Sequence, residues 1–159
     1  MTQDIFDYLT SLGQERYRAV ILHAEPNLGP QVSRFVQKVC ASVDGKYFDL
    51  LDFFINNPDL SARIDSFGPV KLRDLLVEHA RGTSLLVVDQ ADFLLDTWRR
   101  RERQDFFRMI NNQWDGYKND MRAKLIFALQ TSLEIESLQI ADSQLNPRVL
   151  RLSDFNDIL

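Results

Sequence analysis

Three short runs of uninterrupted apolar residues constrain the fold of this 159-residue chain more than any other feature: Ala19-Val20-Ile21-Leu22, Leu85-Leu86-Val87-Val88 and Leu125-Ile126-Phe127-Ala128-Leu129. A strand with one face in water alternates apolar and polar side chains. A run without alternation fits a strand covered on both faces, as in a parallel sheet. Helical patterns fill the intervals. Val32, Phe35, Val36, Val39, Cys40 and Val43 recur at helical spacing, as do Leu72, Leu75, Leu76 and His79 between about Val70 and Ala80. Lys46–Leu50 and Arg148–Leu152 supply two more strand candidates, the first with an end blurred by Phe53-Phe54-Ile55. The alternation predicts an α/β fold: a three-layer sandwich with a mostly parallel five-stranded sheet.

Punctuation supports these boundaries. Residues 3–12 read as a short amphipathic helix with Ile5, Phe6, Leu9 and Leu12 on one face. Asp44-Gly45 marks a turn, Asn56-Asn57-Pro58 breaks the chain, and Arg81-Gly82 stops a helix. A long helix is expected from about Thr97 to Tyr117, with Phe106, Ile110, Trp114 and Tyr117 as an apolar stripe. Ser132 is placed to cap a short helix running to Leu138. With no repeat and no long linker, residues 1–159 are expected to form one domain, with an N-terminal helix (1–16) packed on it.

Composition excludes several classes. The net charge of −4 argues against a molecule that binds nucleic acid through its overall field, so such a role needs a local basic patch. One cysteine allows neither an internal disulfide nor a cysteine-rich metal site, and Cys40 lies on an apolar helical stripe. No apolar run approaches a membrane span. The N-terminal residues lack the basic start and apolar stretch of a signal peptide, so the expected compartment is the cytoplasm.

Between the first apolar run and the following helix stand Ala24, Glu25, Pro26, Asn27, Leu28, Gly29, Pro30 and Gln31. They occupy the register of a phosphate-binding loop, G-x-x-x-x-G-K-[ST]. Gly29 is kept, whereas Ala24 stands for the first glycine, Pro30 for the lysine and Gln31 for the hydroxyl residue. The second apolar run leads into Asp89-Gln90-Ala91-Asp92, and the third into Gln130-Thr131-Ser132. Asn146-Pro147-Arg148 precedes the last strand.

In this order and spacing the segments resemble the P-loop NTPase superfamily, in the branch that contains AAA+ and STAND-type ATPases. The likeness covers roughly residues 17–152. In size and layout the chain is similar to the single-domain P-loop proteins of bacterial phage-defence systems such as BREX. The resemblance implies that Asp89 corresponds to a Mg²⁺-organising Walker B carboxylate. Gln90 stands where many relatives carry a water-activating glutamate, and Gln130, Thr131 and Arg148 at sensor positions. Gln90 cannot take a proton.

The departures count for more. Pro30 has no N–H to offer a phosphate, the bridging lysine is missing, Gln31 is a poor Mg²⁺ ligand beside a hydroxyl, and Glu25 adds negative charge. Several charge-assisted contacts of about 1.5–3 kcal/mol each are lost together. No ATP hydrolysis and little nucleotide affinity are expected, and hence no cofactor; ATP with Mg²⁺ is the alternative. Asp89 reads either as a cation or partner ligand or as a strand-end carboxylate capping the next turn. His23 and His79 read better as structural residues than as ligands. Arg148 invites comparison with an arginine finger, but without a phosphate site a structural salt bridge is expected.

Arg99, Arg100, Arg101 and Arg103 form the most distinctive surface feature, four arginines within five residues near a helix start. The helix dipole disfavours positive charge there, and Glu102 and Asp105 offset part of it. The patch is either a solvated face or a contact for an acidic protein or phosphate backbone. The acidic whole, and the lack of a second basic cluster in the sequence, favour a protein partner. The expectation is thus a catalytically inactive adaptor subunit of a larger bacterial complex in phage defence or DNA transaction. Self-association and nucleic-acid contact stay open, and no membrane contact is expected. The alternatives are an ATPase with an atypical loop, or a nucleic-acid adaptor using the arginines.

Overall fold

The computed structural model describes residues 3–156; residues 1, 2 and 157–159 of the expected domain lie outside the described residues. Asp4 caps helix α1 (Ile5–Leu12), its carboxylate accepting from Phe6 N at 2.7 Å. Strand β1 (Ala19–Ala24) is buried at all six positions. Then come α2 (Gly29–Val43), β2 (Lys46–Asp49), α3 (Leu50–Ile55), α4 (Pro58–Ala62) and α5 (Pro69–Ala80). After β3 (Leu85–Asp89) follow α6 (Asp92–Thr97), α7 (Arg100–Asn112), β4 (Lys124–Gln130), α8 (Leu133–Glu136) and β5 (Val149–Arg151).

The five strands form one all-parallel sheet in the order β2-β3-β4-β1-β5. Side-chain alternation sends the apolar runs to both faces. Ile21, Leu86, Val88, Leu125 and Phe127 face one layer, packing with Leu72 and Leu76 of α5, Leu94 of α6, and Phe106 and Ile110 of α7. Val20, Leu22, Val87, Ile126 and Ala128 face the other, packing with Leu9 of α1 and Val36 and Val39 of α2. The expected three-layer α/β sandwich is therefore present.

β1 and β4 are neighbours, yet the chain leaves them for opposite faces. α2 packs in the layer of Val20, whereas Ile135 of α8 packs in the layer of Ile21. In open α/β sheets such a reversal marks the usual ligand position, at the carboxyl ends of the two strands.

Several boundaries differ from the sequence reading. The helix expected over Thr97–Tyr117 is two helices. Trp98 and Arg99 are extended (ψ 149° and 162°). Trp98 is buried, and its indole N–H donates to Phe67 O at 2.7 Å, which fixes the bend from a distant segment. α7 then ends at Asn112, so Tyr117 leaves the stripe and is 71% exposed, while Trp114 stays buried and donates to Ala123 O at 2.8 Å. β2 stops before Leu50 because Asp49 caps α3 through Asp52 N at 2.9 Å. β5 and α8 are each shorter than expected. At the Asp44-Gly45 turn it is Asp44 that takes the left-handed conformation (φ 55°). Gly45 is needed for space, since a Cβ there would lie 3.2 Å from Leu85. Among the described residues, no helix is long and apolar enough to cross a membrane.

Candidate functional site

The carboxyl end of the sheet gathers the loop after β1, Asp89 at the end of β3 with Gln90 behind it, and Gln130 and Thr131 at the end of β4. A phosphate cradle needs free amides turned toward one point, which a left-handed residue in the loop helps to produce. Here residues 26–28 close a 3₁₀ turn. Leu28 N donates to Glu25 O at 2.8 Å, and Gly29 N donates to Pro26 O. Pro26 and Pro30 have no N–H. No residue of 24–31 has positive φ, and Gly29 is plainly helical (φ −52°, ψ −49°). A Cβ on Gly29 would meet nothing within 4 Å, so neither its flexibility nor its small size is used. Ala24 O accepts from Thr131 N at 2.9 Å, tying the loop to the end of β4. Glu25 lies 3.7 Å from Arg151, which also pairs with Glu136 at 3.0 Å.

Asp89 is 4% exposed, and both its oxygens are engaged. Oδ2 accepts from the Ser33 hydroxyl at 2.6 Å and the Tyr47 hydroxyl at 2.5 Å, and Oδ1 accepts from Gln90 N at 2.8 Å. Ser33 stands just past the first turn of α2 and Tyr47 on β2, so one carboxylate joins three elements. Burial, then the bond to Asp89, pushes the Tyr47 phenol up to about 12. Gln90, at φ 60°, reaches back to Ser33 Oγ at 3.4 Å. Sequence reasoning missed Ser33 and Tyr47. Nothing local marks them, and they meet Asp89 only through sheet register and helix docking.

The sensor-like residues divide. Gln130 N donates to Asp92 Oδ1 at 2.9 Å, and burial raises the Asp92 carboxyl above its ordinary value. Thr131 Oγ1 lies 2.8 Å from His23 Nδ1, and burial, followed by the nearby Arg151 charge, lowers the imidazole below its usual value. Arg148 does not join them. It sits just before β5 at the amino ends of the strands, donating to Ala19 O at 2.7 Å, Ile110 O at 2.9 Å, Asn111 O at 2.7 Å and Ala141 O at 3.1 Å. Ala19 and Ala24 bound β1, roughly 16 Å apart at strand rise. The guanidinium makes no salt bridge among the described residues and ties the last turn of α7 to the start of β1.

The arginine patch is smaller than the sequence suggested. Arg103 donates to Glu134 Oε1 and to Trp98 O, both at 2.7 Å, and belongs to the packing between α7 and α8. Arg99, Arg100 and Arg101 are exposed, and their side chains make no ion pair among the described residues. Glu102 Oε1 accepts from Arg99 N at 3.0 Å and supplies the acidic group that a helix start favours.

Elsewhere the chemistry is committed to structure. Cys40 is buried, its thiol pushed up to about 11 by desolvation. His79 stacks on Phe48 at 4.2 Å between ring centres, with Lys46 Nζ at 2.9 Å. Among the described residues no group of His, Cys, Asp and Glu has the geometry to hold a metal ion. No protein-family model matches the chain, and no curated protein matches it.

Proposed function

We propose that this chain is a catalytically inactive interaction subunit built on a P-loop ATPase scaffold. The strand order supports the scaffold reading. Read from the other edge it is β5-β1-β4-β3-β2, with the sensor-like strand between the loop strand and the strand ending in Asp89. The observation that carries the inactive reading is the state of Asp89. A carboxylate that already accepts from Ser33, Tyr47 and Gln90 N has little capacity left for a metal's water shell. Freeing it would break charge-assisted bonds from two half-buried hydroxyls, worth about 1.5–3 kcal/mol each before water replaces part of them. The self-bonded loop adds to this, since the amides of Leu28 and Gly29 are spent within it. Function then rests on surfaces, with the exposed Arg99-Arg100-Arg101 start of α7 as the contact for an acidic protein partner. A phage-defence or DNA-transaction assembly is the setting suggested by the resemblance. Steady-state ATP turnover tests the reading. The purified protein should release phosphate no faster than its Asp89→Ala variant, and a rate clearly above that variant would refute it.

A further inference from the structure

We propose that a groove at the amino ends of the strands, opposite the degenerate loop, binds single-stranded nucleic acid. The fold assembles there what the sequence scatters. The segment Arg16-Tyr17-Arg18 pairs with residues 114–116, through a Tyr17–Asp115 bridge and a Gly116 N to Arg16 O bond of 2.6 Å. That pairing sets the Arg16 guanidinium 5.2 Å from the Tyr17 ring centre and 5.4 Å from the Tyr117 ring centre. Because α7 has already ended, Tyr117 is 71% exposed, with Arg16 over one face of its ring.

Beside this stack lies a groove of about 720 Å³ lined by four basic side chains, Arg16, Arg73, Arg81 and Lys118, against three carboxylates. Two of the carboxylates are committed: Asp115 to Arg16 at 2.9 Å, and Asp74 to Arg73 at 3.5 Å. Arg81 and Lys118 are exposed and make no ion pair among the described residues. The two ion pairs also occupy Arg16 and Arg73, so Arg81 and Lys118 face one remaining carboxylate, Asp120, and the groove of a chain of net charge −4 is locally positive by one charge beside an exposed aromatic ring. Unpaired bases stack on such a ring while phosphates meet the cations. An acidic peptide would use the cations and leave Tyr117 idle, and the stacked bases of a duplex offer it no free face. The inference stands apart from nucleotide hydrolysis, because none of these residues lies at the loop end of the sheet.

Fluorescence anisotropy with a labelled oligo(dT) of about 12 nucleotides tests it, at about 50 and 200 mM salt. The wild-type protein should bind at the lower salt and weaken at the higher. Tyr117→Ala should bind about tenfold more weakly. Arg81→Glu and Lys118→Glu should each weaken binding and together remove it, while Arg34→Glu, the same charge change as either single variant at an exposed position of α2, should not. Melting curves confirm that the variants fold. The proposal is overturned if the wild type does not bind, if Tyr117→Ala binds like the wild type, or if a duplex of equal length binds as tightly. Loss of binding only on replacing Arg99, Arg100 and Arg101 with Glu would move the site to α7 and overturn it equally.

Discussion

Replacing Arg148 with Met separates a structural arginine from one that serves a nucleotide. The guanidinium is buried and donates to four backbone carbonyls from three segments of the chain besides its own strand: Ala19, the pair Ile110 and Asn111, and Ala141. Two of these bonds, to Ala19 and Ile110, are fully buried, so water cannot replace the lost donor there. Each orphaned carbonyl costs about 1–3 kcal/mol, and a hydrogen bond to a charged donor contributes about 1.5–3 kcal/mol. The bonds to Asn111 and Ala141 lie nearer the surface and are partly recovered by solvent. Burial lowers the guanidinium below its ordinary value, a sign that the charge itself is held at some cost, which methionine relieves. The balance is a loss of about 3–5 kcal/mol. At about 2–4 °C per kcal/mol for a domain of this size, the melting point should fall by on the order of 10 °C. Urea unfolding followed by circular dichroism, with no nucleotide present, measures it. Arg148→Lys, which keeps the charge but cannot span four acceptors, should lose roughly half as much. A loss below about 1 kcal/mol for Arg148→Met would refute the argument, since an arginine reserved for a nucleotide contributes nothing to the empty protein.

Other substitutions test neighbouring parts of the reasoning. Gly29→Ala should be neutral or stabilising by about 0.5 kcal/mol, because the residue is helical and a Cβ meets nothing; a loss above about 1 kcal/mol in urea unfolding would show that the loop needs a glycine. Asp89→Asn should lower stability by about 1.5–3 kcal/mol, because an amide has a single acceptor oxygen and cannot accept from the two hydroxyls and from Gln90 N together; unchanged unfolding would contradict a fully engaged Asp89. Stability should also fall on mild acidification. His23 and His79 are both held below the ordinary imidazole value of about 6.5, each mainly by burial, so the native state favours their neutral forms. The unfolded chain then binds more protons below about pH 6.5, and stability complete above that pH declines as pH falls toward the native values. The raised Asp92 carboxyl acts in the opposite sense, at lower pH. Urea midpoints that do not drop between about pH 7.5 and 5.5 would contradict this, and His23→Asn should flatten the dependence.

The central strands were legible because burial on both faces removes polar alternation: β1 and β3 are buried throughout, and β4 at Leu125–Leu129. Each part of the loop end was legible in order, since Asp89, Gln130 and residues 24–31 all follow such strands. What stayed hidden depended on long-range contacts. The Arg-rich stretch after Thr97 is rich in helix formers, and the bend at Trp98 is held by a bond to Phe67, 31 residues away, that nothing local announces. The engagement of Asp89 requires Tyr47 and Ser33, 42 and 56 residues distant, whose positions follow from strand register and helix docking. Arg148 sits next to a strand that the sequence identified, but its carbonyl partners come together only when the end of α7 and the start of β1 converge on it. The basic groove beside Tyr117 was invisible for the same reason: Arg16, Arg81 and Lys118 lie far apart in the sequence and become neighbours only in the fold.

Titration calorimetry of ATP–Mg²⁺ into the purified protein addresses the loop end of the sheet most directly. With no lysine, two prolines among residues 24–31, the amides of Leu28 and Gly29 bonded within the turn, and Asp89 held by Ser33 and Tyr47, no saturable heat should appear up to about 1 mM nucleotide. A one-to-one isotherm with a dissociation constant in the micromolar range, abolished by Asp89→Ala, would contradict it.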